Sequence, residues 1–138
     1  MITCLFDEKS NCVTLRASGE LGFLRTAQAL QWTLEMSPAA RTLLVVLEDE
    51  AAVRSALELR SLAPVLEAWQ CRHPDIAAAV VAPSDDAVGL IADALRRGGR
   101  AFAGISCHRG ETAAADSLRQ TFSAEPLASE VVTAGAWI

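Results

Sequence analysis

The sequence predicts an α/β domain built on a single-layer mixed β-sheet, and three features of the chain support this. Two short apolar runs, Thr42 to Leu47 and Ile76 to Ala82, each end at polar or proline-containing residues. Such runs are typical of strands that are buried on both faces of a parallel sheet. A helical pattern follows each run and a hairpin pattern precedes them. We therefore expect an N-terminal β-hairpin, then parallel central strands with crossover helices.

The predicted hairpin opens the chain. Strands at 3–6 and 12–17 flank a polar turn in which Asn11 can take a left-handed conformation. The core face is expected to carry Leu5, Val13, Leu15 and Ala17. The opposite face is expected to carry Cys4, Cys12 and Arg16, with the two thiols as diagonal neighbours that an oxidised bridge could join.

Apolar residues at helical spacing follow the hairpin and the first central strand. The first helix has the stripe Phe23, Ala27, Leu30 and Leu34 and ends at Ser37-Pro38. Trp32 and Met36 lie off this stripe, and Trp32 is a candidate for a partner-facing patch. A second helical stretch begins near Val53 and should be divided near Arg60, because the ring of Pro64 blocks a helical hydrogen bond. Its apolar stripe continues through Val65, Leu66 and Trp69.

The second central strand leads directly into a third helix, Ser84 to Arg97. Ser84 can act as the N-cap, and acidic residues beside it suit the positive end of the helix. Val88, Ile91, Ala92 and Leu95 are expected to face inward. The arginines around Gly98-Gly99 are typical of a helix C-terminus rather than of a phosphate site.

The pattern is weaker after Gly99. Alternating apolar residues predict a strand at 100–107, and residues 112–122 have helical spacing with Ala114, Leu118 and Phe122 in register. Residues 130–133 are the alternative for the last strand of the sheet, and Trp137-Ile138 would form an apolar plug at the end.

Length and composition restrict the class of protein. The 138 residues fit one domain, 1–138, and 51% of them are apolar, so a core is easily supplied. A net charge of −5 argues against nucleic acid as a partner, since a basic face would be needed. No segment has the length of a transmembrane helix, and no signal peptide is visible. We therefore expect a cytoplasmic protein whose four cysteines are reduced.

Several kinds of catalytic site are not supported by the residues present. Lys9 is the single lysine and lies in the hairpin turn, which argues against a P-loop, a Schiff-base enzyme and a receiver domain. The Gly-x-Ser-x-Gly elbow of serine hydrolases is missing. The pairs Cys71/His73 and Cys107/His108 lack the spacing of structural zinc. Adjacent side chains on a strand also point to opposite faces, which is poor geometry for a Cys107 nucleophile and a His108 base. We expect no cofactor and no metal.

Acidic residues follow both central strands. If these strands are parallel neighbours, their carboxyl ends meet at one edge of the sheet, where ligands of open α/β sheets usually bind. The predicted binding residues at this edge are Glu48, Asp49, Ser84, Asp85 and Asp86, with Glu50 beside them. They could hold Mg²⁺ or Ca²⁺ or form a small catalytic site based on Asp49, Asp85 or Ser84. The alternative, which we favour, is that these residues complement helix N-termini and form a solvated turn.

The chain resembles the SpoIIAA-like proteins of the STAS/SEC14 fold in three segments and at its end. These segments are Arg16-Ala17-Ser18-Gly19-Glu20, Glu58 to Ala63, and Ala79 to Asp85 with Gly89-Leu90 beyond it, and the end is Trp137-Ile138. The resemblance implies the mixed sheet described above and a regulatory or binding module. Anti-sigma-factor antagonists of this group carry a phosphorylatable serine after the third strand, but here Ser55 lies inside a predicted helix without a neighbouring glycine.

The function expected from the resemblance is therefore non-catalytic. It is binding of a protein partner or of an apolar small ligand. A small enzyme or a divalent-metal site at the acidic edge is the alternative. Self-association into a homo-oligomer through an exposed hairpin edge is a third hypothesis.

Overall fold

The computed structural model describes residues 1–58 and 62–119, except for the side chain of Phe23. Five strands, five α-helices and one 3₁₀ turn lie within these ranges. In chain order they are β1 Ile2–Asp7, β2 Cys12–Ala17, α1 Phe23–Met36, β3 Thr42–Leu47, α2 Glu50–Ala56, α3 Ala63–Arg72, β4 Ala77–Val81, α4 Asp85–Arg97, the 3₁₀ turn Arg100–Phe102, β5 Ser106–His108, and α5, which is helical at 111–119.

The sheet confirms the predicted fold class. Its strand order is β1-β2-β3-β4-β5, the same as the order along the chain. Strands β1 and β2 are antiparallel, and every later neighbour is parallel. The two central strands pair from Thr42 opposite Ala77 to Val46 opposite Val81. The carboxyl ends of β3 and β4 therefore meet at one edge, as expected.

The hairpin forms, but the predicted faces of β1 are wrong. Asn11 has the expected positive φ of 51° in the turn. Asp7 pairs with Cys12, so Cys4 lies opposite Leu15, and Leu5 lies opposite Thr14. Residues that are directly opposite in a sheet share a face, so Cys4 faces the core while Leu5 is 62% exposed. Cys4 and Cys12 consequently lie on opposite faces of the sheet and cannot be bridged within this hairpin.

The helices begin and end close to the predicted positions. Helix α1 stops at Met36, directly before Ser37-Pro38, and buries Leu30 and Leu34. The second helical stretch is divided as expected: α2 ends at Ala56, and Pro64 lies in the first turn of α3, where its missing N–H costs no hydrogen bond. The predicted position of the division, Arg60, lies outside the described residues.

The prediction of a strand over 100–107 is wrong in its first half. Residues Arg100–Phe102 form a 3₁₀ turn between Gly99 and Gly104, whose φ angles are 89° and 84°. These left-handed conformations suit glycine and redirect the chain, so β5 spans Ser106–His108 alone. Helix α5 buries Ala114 and Leu118 as predicted, while Phe122, the alternative strand 130–133 and Trp137-Ile138 lie outside the described residues.

The sheet has a core on each face. On one face, α1, α2, α3, α4 and the 3₁₀ turn pack against the strands in a large cluster that includes Leu15, Leu43, Trp69 and Ile91. On the other face, α5 covers a smaller cluster made by Leu44, Val46, Ala79, Val81, Ala114 and Leu118. We call these the large core and the small core.

Candidate functional site

The predicted acidic edge exists, and the structure brings two of its loops into contact. Glu50 begins α2, which follows β3, and Ser84 precedes α4, which follows β4. The Ser84 hydroxyl donates a hydrogen bond to Glu50 Oε1 at 3.3 Å. The same Ser84 oxygen accepts a hydrogen bond from the Ala87 N–H at 3.1 Å, which is the N-cap geometry that the sequence predicts.

Asp49 is the most engaged carboxylate of this edge. Its Oδ1 accepts the Ala52 N–H at 2.8 Å and thereby caps α2. Both of its oxygens also accept the Gly19 N–H, at 3.1 and 2.9 Å. These backbone hydrogen bonds, from Ala52 first and then Gly19, lower the pKa of Asp49, because they stabilise the charged form. Asp49 therefore ties the hairpin exit to the start of α2.

The other predicted binding residues of the edge point toward solvent. Asp85 lies 3.7 Å from the guanidinium of Arg109, and both side chains are largely exposed. Glu48 and Asp86 are exposed as well. Among residues 1–58 and 62–119, no three His, Cys, Asp or Glu side chains are placed to hold a metal ion together. Within the described chain, the geometry of this edge is that of helix capping.

The Cys107-His108 pair points to opposite faces, as the strand pattern predicts. Cys107 packs against the large core, and burial raises the pKa of its thiol. His108 lies 2.8 Å from the Ser106 hydroxyl through Nε2, and Ser106 in turn lies 3.5 Å from the hydroxyl of Ser117 on α5. Sequence reasoning missed Ser106, although its two-residue separation from His108 on a strand is the signal that would have found it. This polar cluster joins β5 to α5.

The large core contains an apolar cavity of about 70 Å³, which no sequence motif predicts. Its floor is the sheet, where Leu43 and Val80 are among the residues that line it. Its sides are formed by Leu30 of α1, Leu66 of α3 and Ile91 of α4. Because apolar side chains from four parts of the chain surround it, the cavity offers dispersion contacts and almost no hydrogen-bonding groups.

Part of the cavity lining lies beside the end of α2. Leu21, Ala56 and Leu62 line this side and are partly exposed. The Ser55 hydroxyl also lines it, but it accepts the Leu21 N–H at 3.0 Å and donates to the Ala51 carbonyl at 3.1 Å. Glu58, which is exposed, is the charged residue among the described lining. We call this partly exposed part of the lining the rim, and among the described residues it carries one carboxylate.

Comparison with known proteins gives no identification. The chain matches none of the family models, curated proteins or solved structures with which it was compared. Within the part of the chain that the structure describes, none of the helices combines the length and apolar character needed to cross a bilayer. The geometry of the cavity and of the surface must therefore carry the functional inference.

Proposed function

We propose that this chain is a non-catalytic binding domain of the STAS-like kind that takes up a narrow apolar ligand, an alkyl or acyl chain end, in the cavity of the large core. The observation that carries the proposal is the cavity itself, which is lined mostly by apolar side chains, with Ala56 and Leu62 partly exposed among them. Ligand sites are typically concave and mostly apolar, with few polar groups. The predicted mixed topology that accompanies the resemblance is present, which supports the STAS-like part of the proposal.

The size of the cavity restricts the ligand class. An engineered cavity of about 150 Å³ accommodates benzene, and the cavity here, about 70 Å³, is half that volume. A slender chain end fits such a space better than a ring does. An unfilled volume of this size costs about 2 kcal/mol of stability at about 24 cal/mol per Å³, so a ligand that fills it should raise the melting temperature.

The charge at the rim restricts the head group. Glu58 is exposed and belongs to the described lining, and two carboxylates at close range repel each other. A ligand with a neutral or cationic head is therefore favoured over a fatty acid with the same chain. The acidic edge supports a non-catalytic role, because Asp49 and Ser84 are already engaged as helix caps.

The experiment compares three six-carbon probes, hexanol, hexylamine and hexanoate, by their effect on the thermal unfolding of the protein. Hexanol and hexylamine should raise the melting temperature with a saturable dependence on concentration, since a ligand that binds the folded state alone stabilises it. Hexanoate should have a smaller effect. Glu58→Gln should reduce the difference between hexanoate and hexanol.

A matched pair of variants locates the binding site. Ala78→Leu places a larger side chain among the residues that line the cavity and should abolish the response to hexanol. Ala77→Leu makes the same change one residue earlier on β4, where the side chain packs on the other face of the sheet, and should retain the response. If no probe stabilises the wild-type chain, or if Ala78→Leu responds as the wild type does, the proposed function is wrong.

A further inference from the structure

Three large apolar residues are exposed on the outward side of α1. Leu24, Trp32 and Met36 are 72%, 65% and 64% exposed. At about 100° per residue, Trp32 lies nearly opposite to Leu30, which packs into the large core, while Leu24 and Met36 lie on the two flanks of the outward face. Scattered single apolar residues on a surface need no explanation, but several that share a helix face mark an interaction surface.

The same face carries charges in a self-complementary order. Arg25 lies near the start of α1 and Glu35 near its end, and both are exposed. At 100° per residue, Arg25, Gln28, Trp32 and Glu35 all fall within about 60° of the centre of the outward face. The face therefore has a positive end, a negative end and an aromatic residue between them.

A two-fold axis turns this order into complementary contacts. When two copies of α1 pack antiparallel about such an axis, a residue near the start of one helix lies level with a residue near the end of the other helix. The same patch of surface then serves both copies. In the register that centres on residue 30, Arg25 of one copy meets Glu35 of the other, and Gln28 meets Trp32. This register gives two oppositely charged pairs and two aromatic contacts in a single interface.

The apolar residues complete the same register. Leu24 of one copy is level with Met36 of the other, and the two lie on either side of the Arg25–Glu35 pair. A groove lined in part by Met1, Arg25, Gln28 and Trp32 runs along the same side of α1. Apolar neighbours that exclude water strengthen an ion pair at an interface. In this register the Trp32 indole of one copy can also form a cation–π contact with Arg25 of the other copy.

From this arrangement we infer that the outward face of α1 is a homodimer interface, and that its occupant is α1 of a second copy of this chain, packed antiparallel about a two-fold axis. The interface is separate from the cavity in the large core. The inference rests on charge complementarity and on the coincidence of exposed apolar residues in one register, and it stands whether or not the cavity binds a ligand.

The test measures self-association of the full chain by sedimentation equilibrium. The wild type should dimerise with a measurable Kd that rises with salt concentration, because exposed charge pairs are screened. Trp32→Gln should raise the Kd about a hundredfold, as expected for truncation of a central aromatic at both symmetric positions. Arg25→Glu should raise it about tenfold, since both charge pairs become repulsive.

Charge exchange distinguishes this interface from a general effect of charge. Arg25→Glu combined with Glu35→Arg restores opposite charges in each pair and should bring the Kd back near the wild-type value. Arg54→Glu changes the net charge equally at an exposed position on α2 and should leave the Kd unchanged. Circular dichroism melts identify any variant that fails to fold.

Three outcomes would overturn the inference. The first is a wild-type chain that stays monomeric at submillimolar concentration. The second is a double charge variant that associates no better than Arg25→Glu alone. The third is a dimer that withstands Trp32→Gln but is lost when proline replaces Thr3 in β1, since that result would assign association to the hairpin edge.

Discussion

Helices α1 and α4 pack against the same face of the sheet but present different faces to water. On the inner side they are equivalent: α1 buries Leu30 and α4 buries Ile91, and both residues belong to the large core. On the outer side, Asp93 of α4 lies 3.4 Å from Arg96 and 2.6 Å from Arg97. The outer side of α1 exposes Leu24, Trp32 and Met36 beside its charged residues. Among the described side chains, α1 thus exposes three large apolar residues, whereas α4 exposes Leu90.

The two helices also differ in how strongly their own sequences specify them. Helix α4 has Ser84 as a side-chain cap, Asp85 and Asp86 in its first turn, and arginines in its last turn. Helix α1 begins after Gly22, which has no side chain with which to cap it, and its first turn contains no acidic residue. Local signals therefore stabilise α4, whereas α1 depends on its contacts with the rest of the molecule.

The largest expected effect tests the equivalence of the inner faces. Leu30→Ala in α1 and Ile91→Ala in α4 should each lower the free energy of unfolding by about 2–5 kcal/mol, because each removes a fully buried side chain and leaves a cavity. Urea denaturation followed by circular dichroism measures this. A loss well below 1 kcal/mol for either variant would show that its helix contributes less to the core than its burial indicates.

The stability contributed by a carboxylate cap depends on pH, and this distinguishes α2 from α1, which has no side-chain cap. Asp49 caps α2, and its pKa is lowered by backbone hydrogen bonds. Its contribution to stability is present above the unfolded pKa of about 3.9 and is lost as the pH falls through the folded value. The melting temperature of Asp49→Asn should therefore fall less between pH 5 and pH 2 than that of the wild type. Equal acid sensitivity would mean that other carboxylates carry the effect.

The cap of α4 has a smaller expected effect. Ser84→Ala removes the oxygen that accepts the Ala87 N–H and should destabilise the protein by about 1 kcal/mol. Ser84→Asn retains a capping oxygen without adding a charge beside Glu50 and is the matched control, with stability close to that of the wild type. Destabilisation by both variants alike would implicate the hydroxyl bond to Glu50 rather than the cap.

The smallest expected effect comes from a substitution that adds a side-chain cap to α1, which has none. Gly22 has φ −77° and ψ 122°, an extended conformation open to any residue, and a Cβ there would approach the Arg25 Cβ at 3.9 Å, an ordinary contact. Gly22→Ser should therefore raise stability by about 0.5 kcal/mol. Gly19→Ser, at a φ of 73°, should destabilise instead. A loss of stability in Gly22→Ser would show that α1 does not begin where the dihedral angles place it.

Structural features that depend on one short segment of the chain were predicted correctly from the sequence. The Ser84 cap, the division before Pro64 and the two apolar strands each depend on a few neighbouring residues, and all are present in the structure. The acidic edge was also predicted, because parallel neighbours must end on the same side. The use of Asp49 as a cap for α2 follows from its position directly after β3, but its bonds to Gly19 depend on tertiary geometry.

Features that depend on distant pairing were missed. The faces of β1 depend on hairpin register, which the turn sets and which alternation alone does not reveal, so Leu5 and Cys4 were placed on the wrong faces. The first half of the predicted strand 100–107 fails because Gly99 and Gly104 take left-handed conformations. The cavity results from how side chains from β3, β4, α1 and α4 fill space together, and no local pattern contains that information.

The strand order of the sheet has a consequence for biosynthesis. Each strand from β2 to β5 pairs with the strand that precedes it in the chain, so none has to wait for a later segment before it finds its partner. Nascent polypeptide leaving the ribosome can therefore add one strand at a time to an existing template, in the direction of translation. We expect co-translational acquisition of structure to start at the hairpin and to proceed with little exposure of unpaired apolar strands.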